Sequence, residues 1–203
     1  MRRSGNAGLS SSFMTDFTND LEGCLEILNI GGIILYPTDT IWGLGCDATN
    51  DAAVQKLIQL KGKSGQKGLI VLLATERDVL QYVAGPDMEL FDFLEQQQKP
   101  TTVIYDNGVN VADAVLNSDG SIAIRIVKED FCRHLVKRFR RPIVATSANF
   151  HTEPTPSNFT QINPRLVSQV DYTVKFRQDD LGDSAASSII KWMGNGNVTV
   201  IRI

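Results

Sequence analysis

A series of short apolar runs (GIILYP, LIVLL, TTVIY, SIAIRI and PIVAT) punctuates the chain between residues 32 and 146. They are rich in Ile and Val and too short for buried helices. Each therefore reads as a buried strand. Helical patterns lie between them. Leu21, Leu25 and Leu28 share a face behind Thr18, a candidate N-cap, and Gly31-Gly32 ends that helix. Asp51 can cap a helix carrying Ala53, Val54, Leu57 and Ile58, which ends near Leu60. Residues 76–82, 88–98 and 129–139 are also expected to be helical, the last with Phe131, Leu135 and Phe139 on one side and drawn on to Arg141 when its basic stripe is considered. Three more strand candidates close the chain: DYTVKF, ASSIIKW and NVTVIRI. TDTIWGLGCDATN, KGKSGQKG and SANFHTEPTP read as loops. Strands alternate with helices early and cluster late, which predicts one α/β domain with a mixed sheet.

Composition agrees. The chain has 203 residues, 42 % hydrophobic and 21 % charged, enough apolar material for one core. Residues 1–15 read as a flexible leader before a folded unit at 16–203, with Met14 as a candidate start. The opening MRRSGNAGLSSSF has no apolar centre and is no secretory signal. No apolar run approaches a membrane span. The net charge of -3 gives no global reason to bind nucleic acid, so any anion site must be local. Cys24, Cys46 and Cys132 are odd in number and widely spaced, which argues against a disulfide framework and a thiolate metal site. His134 and His151 read as ordinary histidines, and no metal ligand set is expected.

Two nucleotide motifs appear in part. Gly43–Ala48 fits G-x-G-x-x-A, yet six residues including Pro37 separate it from the strand that a dinucleotide turn would follow directly. Gly62-Lys63-Ser64 resembles a Walker A tail, but Leu57 stands where the leading glycine belongs, and the order is helix, loop, strand. Both are rejected.

What remains is a set of strand-end loops rich in hydroxyls and cations. Thr38, Asp39 and Thr40 follow the first strand, and Lys61, Lys63 and Lys67 precede the second. Ser147 and Asn149 follow PIVAT. Ser184, Ser187 and Ser188 open a late strand, and Arg202 lies in the last. Arg125 interrupts the apolar SIAIRI. A buried arginine needs an anion, either a core carboxylate or a ligand. Clustered lysines among glycines suit phosphate oxygens, although a solvated turn has the same composition. Together these groups suggest a phosphorylated ligand beside a small carboxylate. The chemistry would then rest on positioning and charge neutralisation.

The same stretches resemble the YrdC-like family, whose enzymes are threonylcarbamoyl-AMP synthases. PTDTIWGLGCDA looks like its P-T-[DE]-T-x-[YW]-G-L-x-x-[DN]-A, KGKSGQKGL its K-x-R-x-x-x-K-[GP]-L, and TSAN its [PT]-S-A-N. The resemblance covers roughly residues 20–203 and is to the short form of the family. It implies a twisted mixed sheet covered by helices. It also implies a cytoplasmic enzyme that joins threonine, bicarbonate and ATP, with Mg2+, into threonylcarbamoyl-AMP and pyrophosphate. A separate tRNA threonylcarbamoyl transferase would then modify adenosine 37 of tRNA. Thr38, Arg125 and Ser187 would hold threonine. Lys61, Lys63 and Lys67 would face the phosphates. Ser147, Asn149 and Arg202 would bind the nucleotide. The chain departs from the pattern at Lys63, where arginine is usual, and at Val127, where proline is usual. Two other readings stay open. One is a non-catalytic RNA-binding module using Arg133, Lys137 and Arg140 at i, i+4 and i+7. The other is an enzyme forming carbamoyl-AMP.

Overall fold

The computed structural model describes residues 17–62, 68–182 and 184–202. The expected leader at 1–15, and with it Met14, lies outside these residues, as do Lys63 and Lys67. Helix α1 (Thr18–Asn29) leads into β1 (Ile34–Tyr36) and β2 (Gly43–Gly45), then α2 (Asp51–Lys61) and β3 (Ile70–Leu73). Helices α3 (Glu76–Tyr82) and α4 (Glu89–Glu95) precede β4 (Thr101–Tyr105) and β5 (Ile122–Ile126). Helix α5 (Asp130–Phe139), β6 (Ile143–Ser147), the short α6 (Pro164–Val167), β7 (Tyr172–Thr173), β8 (Ser188–Gly194) and β9 (Asn197–Arg202) follow.

The described strands form one nine-stranded sheet in the order β7-β1-β2-β6-β3-β5-β4-β8-β9. The β1–β7, β3–β5 and β4–β8 pairs are parallel and the others antiparallel, so the sheet is mixed as expected. Each apolar run forms a strand because its side chains have no exposed face to occupy. Ile34, Leu35, Tyr36, Val71, Leu72, Ile122 and Ile143 are all at most 1 % exposed. Phe17, Phe131 and Phe176 pack ring to ring at 5.3–5.7 Å between centroids and seal the α1–α5 side of the core.

Several boundaries differ from expectation for local reasons. Phe17, not Thr18, occupies the N-cap position of α1. Asn50, not Asp51, caps α2, its side-chain oxygen accepting from Ala53 N at 3.1 Å. Part of the expected loop TDTIWGLGCDATN forms β2, a strand that composition hides because two of its three residues are glycine. The glycines answer to crowding. A Cβ on Gly45 would lie 2.6 Å from the Tyr36 ring and 2.8 Å from the Val144 carbonyl oxygen. The expected strand DYTVKF keeps only two ladder residues, because Lys175 N and Phe176 N turn away to donate to the Asp20 carboxylate. Helix α5 stops at Phe139, as its apolar face predicts, and Arg140, in the left-handed region at φ 59°, ends the extension to Arg141 that the basic stripe needed.

Candidate functional site

The turn after β1, the end of α2, the loop after β6 and the start of β8 converge on one cleft. Thr38, Thr40, Lys61, Arg125, Ser147, Asn149, Ser187 and Arg202 line it. These include every expected site residue among the described ones. Positions 38 to 149 meet because β1, β2, β6, β3 and β5 are consecutive in the sheet, while Ser187 and Arg202 reach the cleft from the start of β8 and from β9 at its other end. Thr155 and His151 also line the cleft; the residue types alone gave no signal for either.

Arg125 is 3 % exposed and faces Asp39, with Nη2 3.0 Å from Oδ1 and the carboxylate 9 % exposed. The ion pair with a core acid that the sequence left open is therefore present, and Arg125 lines the cleft as well. The pair is incompletely satisfied. Arg125 Nε has no hydrogen-bond partner, and Asp39 Oδ1 makes no well-aligned hydrogen bond. Burial raises the Asp39 carboxyl above its ordinary pKa, while the Arg125 charge pulls it back.

Thr38 is occupied by its own turn. Its hydroxyl donates to Ile41 O at 2.7 Å and accepts from Thr40 N at 3.1 Å. With that proton committed, the Thr40 hydroxyl donates to Thr38 Oγ1 at 2.9 Å. Thr38 is then saturated, whereas the Thr40 oxygen keeps both lone pairs. Thr38 shapes the turn, and Thr40 is the hydroxyl with spare capacity.

Lys61 ends α2 with its ammonium inside the protein, 6 % exposed. Nζ donates to Ser147 O at 2.6 Å and Asn149 O at 3.0 Å, stapling the helix to the loop after β6. Burial lowers its pKa to about 8. Asn149 is pinned in turn, its Nδ2 donating to Glu153 O at 2.6 Å. At the opposite wall, Arg202 Nε and Nη2 donate to Ser187 O at 3.1 and 2.9 Å, and Ser187 Oγ sits 2.8 Å from Thr102 Oγ1. The positive charge on Arg125 adds to desolvation in lowering the Arg202 pKa, so two cations face this end. Such a cleft can receive anions. Among the described residues no group of three or more His, Cys, Asp or Glu side chains could hold a metal.

The expected basic stripe is less continuous than its spacing suggested. Arg133 pairs with Asp130 at 2.8 Å, and Arg140 lies beyond the helix end. No described helix is long and apolar enough to cross a membrane.

Residues 26–203 match the family model Sua5_yciO_yrdC, described as Telomere recombination. The chain belongs to the Sua5/YciO/YrdC family. The match bears out the YrdC-like resemblance over nearly all described residues. Among Sua5/YciO/YrdC relatives, a threonylcarbamoyl-AMP synthase of Xanthomonas campestris is 34 % identical over 158 residues, 76 % of this chain and 84 % of the relative. One of Stenotrophomonas maltophilia is 32 % identical over 154 residues, 74 % of this chain and 83 % of the relative. The fold is similar to P. abyssi Sua5 solved with L-threonine, with a TM-score of 0.77, 19 % identity and 90 % of this chain covered. This chain spans about half of that one, 53 %. E. coli YciO gives a TM-score of 0.73 at 20 % identity, covering 91 % of this chain and 88 % of that one. At these identities the structural likeness is one of fold, a mixed sheet flanked by helices.

Proposed function

We propose that this chain is a threonylcarbamoyl-AMP synthase, an enzyme that consumes ATP, threonine and bicarbonate. The observation that carries the reading is Arg125, a buried cation on the cleft whose Nε lacks a partner. A small carboxylate could supply that partner, and a guanidinium edge suits it bidentately. The relatives' shared enzyme name adds independent support.

In this reading the threonine carboxylate meets Arg125, with Thr40 and Ser187 at its sides and Thr38 holding the turn. The threonine amine adds to bicarbonate, losing water to give a carbamate. A carbamate oxygen then attacks the α-phosphorus of ATP. The bond to pyrophosphate breaks as the mixed anhydride forms, which makes the reaction an adenylyl transfer. Ser147, Asn149 and Arg202 hold the nucleotide end. Lys61 sets one edge of the phosphate side, and Lys63 and Lys67 complete it from outside the described residues. Among the described residues the cleft offers cations and hydroxyls, which fit phosphate oxygens, and no carboxylate cage for a metal. Mg2+ would enter with ATP as MgATP, and no protein ligand is assigned to it. Positioning and charge neutralisation supply the catalysis. The product would pass to a tRNA threonylcarbamoyl transferase in the cytoplasm. Residues 16–203 form the catalytic unit, and direct tRNA contact is not required of it.

Pyrophosphate release from ATP, measured with each amino acid and with or without bicarbonate, tests the reading. Release that needs threonine and bicarbonate together is expected. ATP turnover that is absent, or equally fast without threonine, overturns it.

A further inference from the structure

Arg177 carries a side chain where the backbone would favour glycine. Its φ is +64°, in the left-handed region that disfavours a Cβ. Such a conformation persists only where its surroundings hold it, and it recurs at functional sites. Here the surroundings are explicit. The buried Asp20 carboxylate of α1 accepts from Lys175 N at 3.0 Å, Phe176 N at 2.8 Å and the Tyr172 hydroxyl at 2.8 Å. Gln178 Nε2 donates back to Val174 O at 2.7 Å. The backbone on both sides of Arg177 is thus fixed by hydrogen bonds, and the strained residue cannot relax without breaking them.

The side chain reaches the turn after β1. Nη1 donates to Thr38 O at 3.2 Å, while Nε and Nη2 hold Asp180 Oδ2 at 3.3 and 3.1 Å. Thr38 is the residue whose hydroxyl organises Thr40, and Asp39 between them faces Arg125. The Arg177 charge also acts on the Asp39 carboxylate. Beyond Arg177 the chain crosses to Ser184, whose amide donates to Ser157 O, and enters β8 beside Ser187. Arg177, Thr40, Asp39 and Ser184 line a second cavity, which shares Thr38, Thr40 and Ala186 with the cleft.

We infer that Arg177 is a positioning residue: it latches the crossover from β7 to β8 onto the 38–40 turn and so sets Asp39 against Arg125. This inference rests on the proposed function for its kinetic consequence, but the latch itself does not. It acts on the threonine end alone, because its contacts reach Thr38 and not Lys61, Ser147 or Asn149. The guanidinium fork is needed, since one ammonium cannot hold Thr38 O and Asp180 together in a fixed plane.

The test compares Arg177→Gly, which suits the backbone but removes the latch, with Arg177→Lys, which keeps the charge. In Arg177→Gly, KM for threonine should rise about 10-fold, the equivalent of one hydrogen bond to a charged group. KM for ATP should stay within about two-fold, and the melting temperature should not fall, because strain is relieved. Arg177→Lys should recover part of the threonine KM. Hydrogen exchange at residues 38–42 should quicken in Arg177→Gly while that at 143–149 does not. Unchanged threonine KM, or parallel loss of both KM values with a lower melting temperature, overturns the latch. If the wild-type chain shows no threonine-dependent pyrophosphate release, the proposed function falls and the exchange measurement alone decides: equal exchange at 38–42 in both proteins then sinks the latch.

Discussion

Two Arg–Asp pairs in this molecule look alike by distance and differ in what they leave undone. In the first, Asp47 is 1 % exposed and meets Arg141 Nη1 at 2.6 Å. The same carboxylate accepts from Thr49 N at 2.9 Å and Thr49 Oγ1 at 2.7 Å. Arg141 also donates to Asn29 Oδ1 at 2.6 Å and lies 4.2 Å from the centre of the Phe139 ring. Both Asp47 oxygens and both terminal nitrogens of Arg141 have partners. In the second pair, Arg125 is buried and Asp39 largely so, 3.0 Å apart, yet Arg125 Nε is unpartnered and Asp39 Oδ1 lacks an aligned donor. Leaving charged groups unsatisfied in a core costs stability. A fold tolerates that where a ligand completes the set. Satisfaction, more than burial, separates the structural pair from the functional one.

The strongest attempt to break this contrast is Arg125→Ala. Losing a carboxylate clamp from a desolvated site should cost ~2–5 kcal/mol, roughly 30-fold to several-thousand-fold in kcat/KM for threonine. Nucleotide binding, followed by calorimetry, should persist. A variant with normal threonine kinetics and only lower thermal stability would make the second pair as structural as the first.

Arg141→Ala should do the reverse. Asp47 keeps its Thr49 bonds, and Arg141 is itself 39 % exposed, so solvent screens part of the pair. A stability loss of about 1–2 kcal/mol in denaturant melts is expected, with threonine and ATP kinetics unchanged below the transition. Altered threonine KM at full folding would erase the distinction.

Lys61 sharpens the contrast with a smaller effect. Its ammonium is buried, bound by two carbonyls, and has a pKa lowered to about 8. The charged form that attracts phosphate dominates below that pH and is lost above it. KM for ATP should therefore climb a few-fold as pH rises through about 8. Nucleotide binding there should take up a proton, visible as buffer-dependent heat. The folding linkage has the opposite sign. Between about 8 and the ordinary lysine pKa the unfolded chain holds the proton more tightly, so this group's contribution to stability rises with pH. A flat ATP profile from pH 7 to 9 would reduce Lys61 to a staple.

Much of the fold was legible in sequence because its signals are local. Runs such as LIVLL and PIVAT must be buried wherever they sit, and all of them became strands. β2 was hidden because Gly43 and Gly45 carry no strand propensity, and the packing of Tyr36 that demands them is not local. The end of α5 at Phe139 was legible from its apolar face, whereas the left-handed Arg140 that cuts short the basic stripe was not.

The candidate site divides in the same way. By itself the sequence determined which loops carry hydroxyls and cations, and that Arg125 needs an anion, because side-chain chemistry and the cost of burying charge hold in any fold. Only the tertiary structure decided which of those groups are free. The Lys61 ammonium is taken by carbonyls 86 and 88 residues away, the Thr38 hydroxyl is saturated within its turn, and Arg125 keeps an unpartnered Nε beside Asp39. Hydrogen-bond satisfaction is a property of neighbours in space, and those neighbours exist only once the sheet has brought distant strand ends together.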